Sequence, residues 1–270
     1  MTDSRSQAAL GHRNLIAFNR AATHWGSRGA LEEGGGAVLC AGGTWIPVVA
    51  NGAYRIDHTL DGGELIARAD EFFGSLSRGF TIKVRDTGQD DDLRRACEAA
   101  GLERFGTPVP QMILDGPLRE PATDDGIATR VVDDEAGVAD FIAVNAEAYG
   151  TYGMPAEVLS DLFDESKRLL EDPGAHIVVA SRAGEPIATA MTFESDGVAS
   201  LQWVGTVPGA RTAGLGALVT ITATNLAFEH GASSCTLQAS PMGEPLYRRL
   251  GYETIYHYGE FVRWPTPPAP

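Results

Sequence analysis

The run V-P-G-A-R-T-A-G-L-G-A, Val207 to Ala217, sets a proline, an arginine and three glycines between a strand-like stretch and a long apolar one. Such a run opens a helix whose first backbone N–H groups have no intrahelical partner, at the positive end of the helix dipole. A phosphate group suits that position. Gly214 and Gly216 take away Cβ atoms that would hold a pyrophosphate off the amides, and Arg211 can add a charge contact. Taken alone, R-x-x-G-x-G is also an ordinary tight connection. About thirty residues later stands L-Y-R-R-L-G-Y, Leu246 to Tyr252, a short aromatic-bearing helix ended by glycine.

The elements around these residues can be read from the periodicity. Ile127–Val132 reads as a strand, Asp134–Ala148 as a helix, and Pro155–Leu170 as a second helix with proline in its first turn. Three strands follow, His176–Arg182, Pro186–Ser195 and Val198–Val207. They are joined by Ala183-Gly184-Glu185 and by Asp196-Gly197, the latter a two-residue hairpin signal. Gly214–His230 carries no charge before Glu229 and predicts a buried crossover helix between parallel strands, the second strand being Cys235–Ala239. Residues 243–250 form a short helix, and Tyr252–Trp264 is one strand or a tight pair. The expected architecture is an α/β (α+β) mixed sheet with helices on both faces.

At this point the second half resembles the GNAT superfamily of N-acetyltransferases over residues 127–264. Arg211, Gly214 and Gly216 match the family's pyrophosphate-loop signature, and Tyr247, Leu250, Gly251 and Tyr252 match its C-terminal one. The resemblance implies acetyl-CoA as cofactor. It implies that the backbone of Gly205, Thr206 and Val207 pairs with the pantetheine arm as an added strand. The amides of Thr212, Ala213, Gly214, Leu215, Gly216 and Ala217 would hold the pyrophosphate. An amide near the end of the strand would polarise the thioester carbonyl and steady its oxyanion. Tyr247 would be the general acid, since a phenol stays protonated and can donate to a leaving thiolate; otherwise it is a packing aromatic. Ser240 stands where many members carry asparagine and can still hydrogen-bond the cofactor arm, with shorter reach. Gly243 stands where alanine is common.

For the general base, Glu194 and Glu147 are candidates, each also readable as a surface carboxylate. Glu147, Glu157, Asp161, Asp164 and Glu165 fall in the region that borders the acceptor in this family, and they motivate a cationic amine. Tyr149, Tyr152 and Met154 line an acceptor pocket or simply pack.

The first half repeats the later pattern of the second in weaker form. Phe80–Lys83 resembles Cys235–Gln238, and Ala96–Glu103 aligns with Leu246–Glu253, which sets Cys97 where Tyr247 stands. The counterpart of the phosphate loop, Ile56–Gly62, lacks Gly-x-Gly and holds Asp57 and Asp61, which repel a pyrophosphate. The resemblance thus extends to a tandem pair: a reduced, structural acetyltransferase-like domain over 1–121 and a catalytic one over 122–270. The Pro- and Gly-bearing linker Asp115–Gly126 joins them. The first domain would cover an edge of the second sheet or wall the acceptor pocket.

The net charge is −15, of which residues 1–120 carry −3 and residues 121–270 carry −12. A nucleic-acid partner needing a basic face is not expected. The apolar stretch Ala37–Tyr54 is broken by glycine and proline and predicts strands rather than a membrane span. Cys40, Cys97 and Cys235 are far apart with no C-x-x-C, and the N-terminus has no apolar signal core, so a cytoplasmic protein is expected. The six histidines are isolated in sequence, and no metal motif is evident. The expected activity is acetyl transfer to a primary amine of a small molecule or to an exposed amino group. The alternative is a non-catalytic CoA-binding sensor or interaction module. Both monomer and homodimer stay open.

Overall fold

A computed structural model describes residues 4–120 and 126–265. The boundary expected at 121/122 lies outside the described residues.

The first half begins with helix α1 (Ser4–Ala22), then strands β1 (Ala30–Gly34) and β2 (Ala37–Ala41), a single turn α2 (Pro47–Ala50), and β3 (Asn51–Arg55). Helix α3 (Gly62–Ser75), β4 (Phe80–Arg85), α4 (Asp91–Ala99) and β5 (Glu103–Leu114) complete it. The second half runs β6 (Ile127–Val131), α5 (Glu135–Gly150), α6 (Glu157–Leu162), α7 (Ser166–Glu171), β7 (Ala175–Arg182), β8 (Glu185–Ser195) and β9 (Val198–Thr206). It closes with α8 (Leu215–Glu229), β10 (Ser234–Gln238), α9 (Glu244–Arg249) and β11 (Glu253–Arg263).

The strands form one mixed sheet in the order β1-β2-β3-β4-β11-β5-β10-β9-β8-β7-β6. The meander β7–β8–β9 is antiparallel, and β9 and β10 are parallel across the crossover helix α8. The first half repeats this with an antiparallel β1–β2–β3 and a parallel β3–β4 joined by α3. The tandem reading is therefore visible in the topology, α3–β4–α4–β5 matching α8–β10–α9–β11.

The exchange of the last strands is not readable from the sequence. β5, the end of the first half, pairs antiparallel with β10 of the second. β11, the end of the second half, pairs antiparallel with β4 of the first and also with β5. Apart from β6, which has no counterpart, the order is two-fold symmetric about the β11–β5 contact. The first half does cover an edge of the second sheet, and it does so by hydrogen bonding, which leaves β10 with no open backbone row along that pairing.

Side chains from both halves share cores. On one face α1 crosses the sheet: Phe18 and Trp25 pack edge-on to Phe193, and Asn14 Nδ2 donates to the Val198 carbonyl at 2.8 Å. Trp25 is buried and its indole donates to Asp172 at 3.0 Å. On the other face α8 lies on small side chains of the meander, Ala180, Ala188, Ala190 and Ala199, which let an almost uncharged helix sit close.

The single helix expected over Pro155–Leu170 is two short ones. Phe163 leaves helical geometry at φ −127°, ψ 26°. The break is held from far away in sequence: the Asp164 carboxylate accepts the Ser27 N–H at 2.6 Å, and Glu165 donates its N–H to the Trp25 carbonyl at 3.0 Å. Tyr252–Trp264 resolves as one strand, β11, with two register irregularities against β5.

Candidate active site

A cleft of about 710 Å³ opens between the C-terminal part of β9 and the segment from β10 to α9. The parallel β9–β10 pairing runs from Val198 to Leu201 only. Beyond it β9 continues to Thr206 paired with β8 alone, so one row of its backbone groups faces the cleft. The divergence coincides with a bulge: the β8–β9 register shifts between Thr189 and Met191, and Trp203 adopts φ 51°. A bulge adds one residue to one strand and bends it away. A left-handed tryptophan is costly, and it is held by aromatic contacts with Tyr149 (centroids 5.6 Å apart) and Phe163 (5.8 Å).

The N-terminus of α8 closes one end of the cleft. Gly214 is its N-cap at φ 75°, in the left-handed region that favours glycine, and no side chain caps the helix. The first N–H with a helix-type partner is Leu218, which donates to the Gly214 carbonyl at 3.0 Å. The N–H groups of Leu215, Gly216 and Ala217 therefore have no acceptor among the described residues, and all three residues line the cleft. A Cβ placed on Gly214 would meet nothing within 4 Å. Three convergent free amides at a positive helix end form a seat for a diphosphate.

The structure gathers Gly205, Thr206, Arg211, Thr212, Gly214, Leu215, Gly216, Ala217, Ser240 and Tyr247 around this one cleft. Val207 and Ala213 do not line it, and the Val207 N–H is already given to the Ile187 carbonyl at 3.0 Å. Arg211 lines the cleft and is also held by the protein itself. Its guanidinium donates to the Thr206 carbonyl at 3.3 Å, to the Ala148 carbonyl at 3.0 Å and to Thr151 Oγ1 at 3.0 Å, and it lies over the Tyr152 ring. It braces the loop against the end of α5. Ser240 Oγ accepts the Gly243 N–H at 3.1 Å and so shapes the turn into α9.

Tyr247 is buried, and its hydroxyl has no partner among the described residues. Burial, with the phenol of Tyr149 and the thiol of Cys235 adding to it, pushes its pKa above the ordinary phenol value, so the group keeps its proton at neutral pH. The glycine at 243 has a local reason: a Cβ there would come within 2.8 Å of Tyr247 Cε2. Tyr152 and Met242 bridge the mouth, the hydroxyl donating to the sulfur at 2.8 Å. Tyr149 lines the cleft as well, while Met154 packs in the core beside α5 and does not.

None of the carboxylates expected near the acceptor, Glu147, Glu157, Asp161, Asp164, Glu165 and Glu194, lines the cleft. Glu147 is exposed on α5 outside the cleft, and Glu194 stands toward the far end of β8, opposite Ala199. Asp161 pairs with Arg28 at 2.5 Å, Asp164 with Ser27, and Glu165 with Arg168 at 3.7 Å. Among the described residues lining the cleft the charged ones are Arg211 and Arg249. Of the lining residues missed in the sequence, Gln202, Trp203, Gln238 and Met242 carry no motif, and Leu246 and Arg249 lie within the Leu246–Tyr252 run without a role of their own there; the bulge and the divergence of the strands open the cleft that they line.

The matching place in the first half is filled. At the ends of β3 and β4, Arg55 and Arg85 converge on the buried Asp90, at 3.3 and 2.7 Å, and Arg55 also donates to Asp92 at 3.0 Å. The N-terminus of α3 is capped by its own acid, Asp61, which accepts from the Gly63 N–H at 2.8 Å and the Glu64 N–H at 3.2 Å. Where Tyr247 stands, Cys97 is buried and its thiol is pushed up to about 12 by desolvation. Asp61→Ala is expected to remove this cap and lower stability by about 1 kcal/mol, a fall in Tm of a few degrees. Thermal denaturation checks it, and an unchanged Tm would deny the carboxylate its place on those amides.

Residues 117–243 match the sequence model of the acetyltransferase (GNAT) domain. No curated protein matches the chain in sequence. Among solved structures, the chain is similar to a GCN5-related N-acetyltransferase from Kribbella flavida, with TM-score 0.69, 20% identity, and 96% of each chain covered. It is similar to a tandem GNAT protein from the clavulanic acid biosynthesis pathway, with TM-score 0.63 and 17% identity over 90% of this chain and 86% of that one. A GCN5-related N-acetyltransferase from Sphaerobacter thermophilus gives TM-score 0.62 and 16% identity, covering 88% and 83%. With its free-amide helix end, its diverging strand pair and this match, the C-terminal half is a GNAT acetyltransferase domain, set in a chain that has the tandem GNAT fold.

Proposed function

We propose that this protein transfers the acetyl group of acetyl-CoA to a primary amine of a small molecule or to an exposed amino group. In this reading residues 122–270 hold the cofactor and Tyr247, and residues 1–121 support them. The observation that carries it is the meeting in one cleft of three things: the free amides of Leu215, Gly216 and Ala217, the unpaired strand row of β9, and the unpartnered hydroxyl of Tyr247.

The residues present fit acetyl-CoA. The α8 amides suit its diphosphate, the open row of β9 at Gln202–Thr206 suits the amides of its arm, and Tyr247 stands by to donate a proton to a leaving thiolate. When bound, the cofactor supplies an activated acyl thioester. The chain's own contribution is to hold donor and amine together and to place Tyr247.

The amine side is supported by a second, smaller cavity of about 90 Å³ that shares Gln202 and Gln238 with the cleft. The first half lines the rest of it, with Asn19, Asn51 and Lys83 among its polar groups. Gln238 Nε2 and Asn51 Oδ1 are buried there without partners among the described residues, a donor and an acceptor that suit a polar ligand. In this reading the first half walls the acceptor side. No carboxylate or imidazole is among the described residues lining either cavity, so the ammonium proton leaves through water. With Arg211 and Arg249 the charged groups of the cleft, the proposed acceptor is a monoamine rather than a polycation. Cys40, Cys97 and Cys235 are free and buried, in keeping with a reducing, cytoplasmic compartment.

The test is thiol release from acetyl-CoA by the purified chain with a panel of amines. Acetylation of a primary monoamine, at a higher kcat/KM than any polyamine, is expected. Binding of acetyl-CoA without turnover on any amine would favour the CoA-sensing alternative instead.

A further inference from the structure

At the end of α8 opposite the cleft, three side chains far apart in sequence point their donor atoms at one another. His176 on β7 and Glu194 on β8 are diagonal neighbours on the sheet face that α8 covers. His230 is the residue at the C-terminus of α8. His230 Nδ1 lies 3.0 Å from His176 Nε2, and Glu194 Oε1 lies 3.8 Å from each of them. All three donor atoms fall within 4.8 Å of one another.

From this arrangement we propose that His176, Glu194 and His230 form a Zn(II) site. The spacing is that of a ligand triangle: the point equidistant from the three atoms lies about 2.1 Å from each, the length of Zn–N and Zn–O bonds. Two imidazoles and one carboxylate are a donor set that zinc accepts, and the partial exposure of His230 leaves a fourth position to water.

Two independent observations point the same way. Glu194 Oε1 is fully buried and has no hydrogen-bond partner among the described residues, a state that costs free energy unless a cation or a donor meets it. The triangle also lies at the negative end of the α8 dipole, where a positive charge is favoured. A metal here would tie β7, β8 and the end of α8 together. Its role is structural, because the cleft lies at the other end of that helix.

The experiment uses the whole chain without an oligohistidine tag, stripped with a chelator and titrated with Zn(II) and, as a spectroscopic probe, Co(II). One equivalent of metal per chain is expected, with the intense visible absorption of four-coordinate Co(II) and a rise in Tm of about 5 °C on zinc addition. His176→Ala and His230→Ala should each weaken binding by about 30-fold or more, and Glu194→Gln by about 10-fold. Uptake well below one equivalent by the unaltered chain would overturn the assignment. So would unchanged affinity in the His176→Ala/His230→Ala double variant, whose folding is checked by circular dichroism.

Discussion

Gly214→Val is expected to weaken acetyl-CoA binding by about two orders of magnitude in a chain that still folds, a loss of about 2.7 kcal/mol. Two effects add. Gly214 sits at φ 75°, where an L-residue costs about 1–2 kcal/mol and a β-branched one more, so the turn shifts and carries the first amides of α8 with it. The new methyl groups also stand over the open space that the Leu215, Gly216 and Ala217 N–H groups face, since nothing of the protein lies within 4 Å of a Cβ there. Gly216→Ala is the control. Its Cβ would meet Leu246 Cδ2 at 3.6 Å and Thr206 Oγ1 at 3.7 Å, ordinary contacts, so the helix end keeps its shape and affinity should fall much less than in Gly214→Val. Isothermal titration with acetyl-CoA measures both, and equal affinities for the two variants would remove the helix end from the binding account.

Tyr247→Phe is expected to lower kcat by about 10²- to 10³-fold while leaving acetyl-CoA affinity unchanged. The ring is buried against Tyr252 (centroids 5.9 Å apart), and phenylalanine keeps that packing. Because the hydroxyl has no partner among the described residues, its removal orphans none of their groups, and Tm should hold. A pure loss in kcat therefore separates proton donation from packing. If kcat is unaltered on the best amine, Tyr247 is not the acid. The raised pKa gives a further sign: the phenol remains protonated well into alkaline solution, so a falling alkaline limb in the rate profile must come from another group.

How much of this was legible depended on whether the cause of each feature is local. The Asp196-Gly197 hairpin was readable because both residues take positive φ, 53° and 73°, which few residue pairs accept. The end of α8 was readable for a similar reason, since Gly214 and the apolar run after it carry the geometry themselves. The bulge at Trp203 was not, because a tryptophan at φ 51° is held by Tyr149 and Phe163 rather than by its neighbours in sequence. The break between α6 and α7 is imposed by Trp25 and Ser27. Glu194 shows the same limit: alternation places it on a strand, yet only the packed sheet sets it among two histidines away from the cleft. Asp61 was readable in sign but not in manner. A negative charge disfavouring a diphosphate was evident, whereas its carboxylate occupying the amides is a matter of geometry. Gly243 makes sense only with the Tyr247 ring in place, and Ser240 with the turn whose Gly243 N–H it accepts.

The swapped strands have a consequence for how the chain matures. β4 and β5 are made early, yet the slot between them is filled by β11, residues 253–263. During synthesis the N-terminal portion must therefore wait, its sheet split, until those late residues emerge. A deletion near the C-terminus would be felt first some 170 residues upstream, where Lys83 would lose Glu260 and β4 would be left with a bare flank.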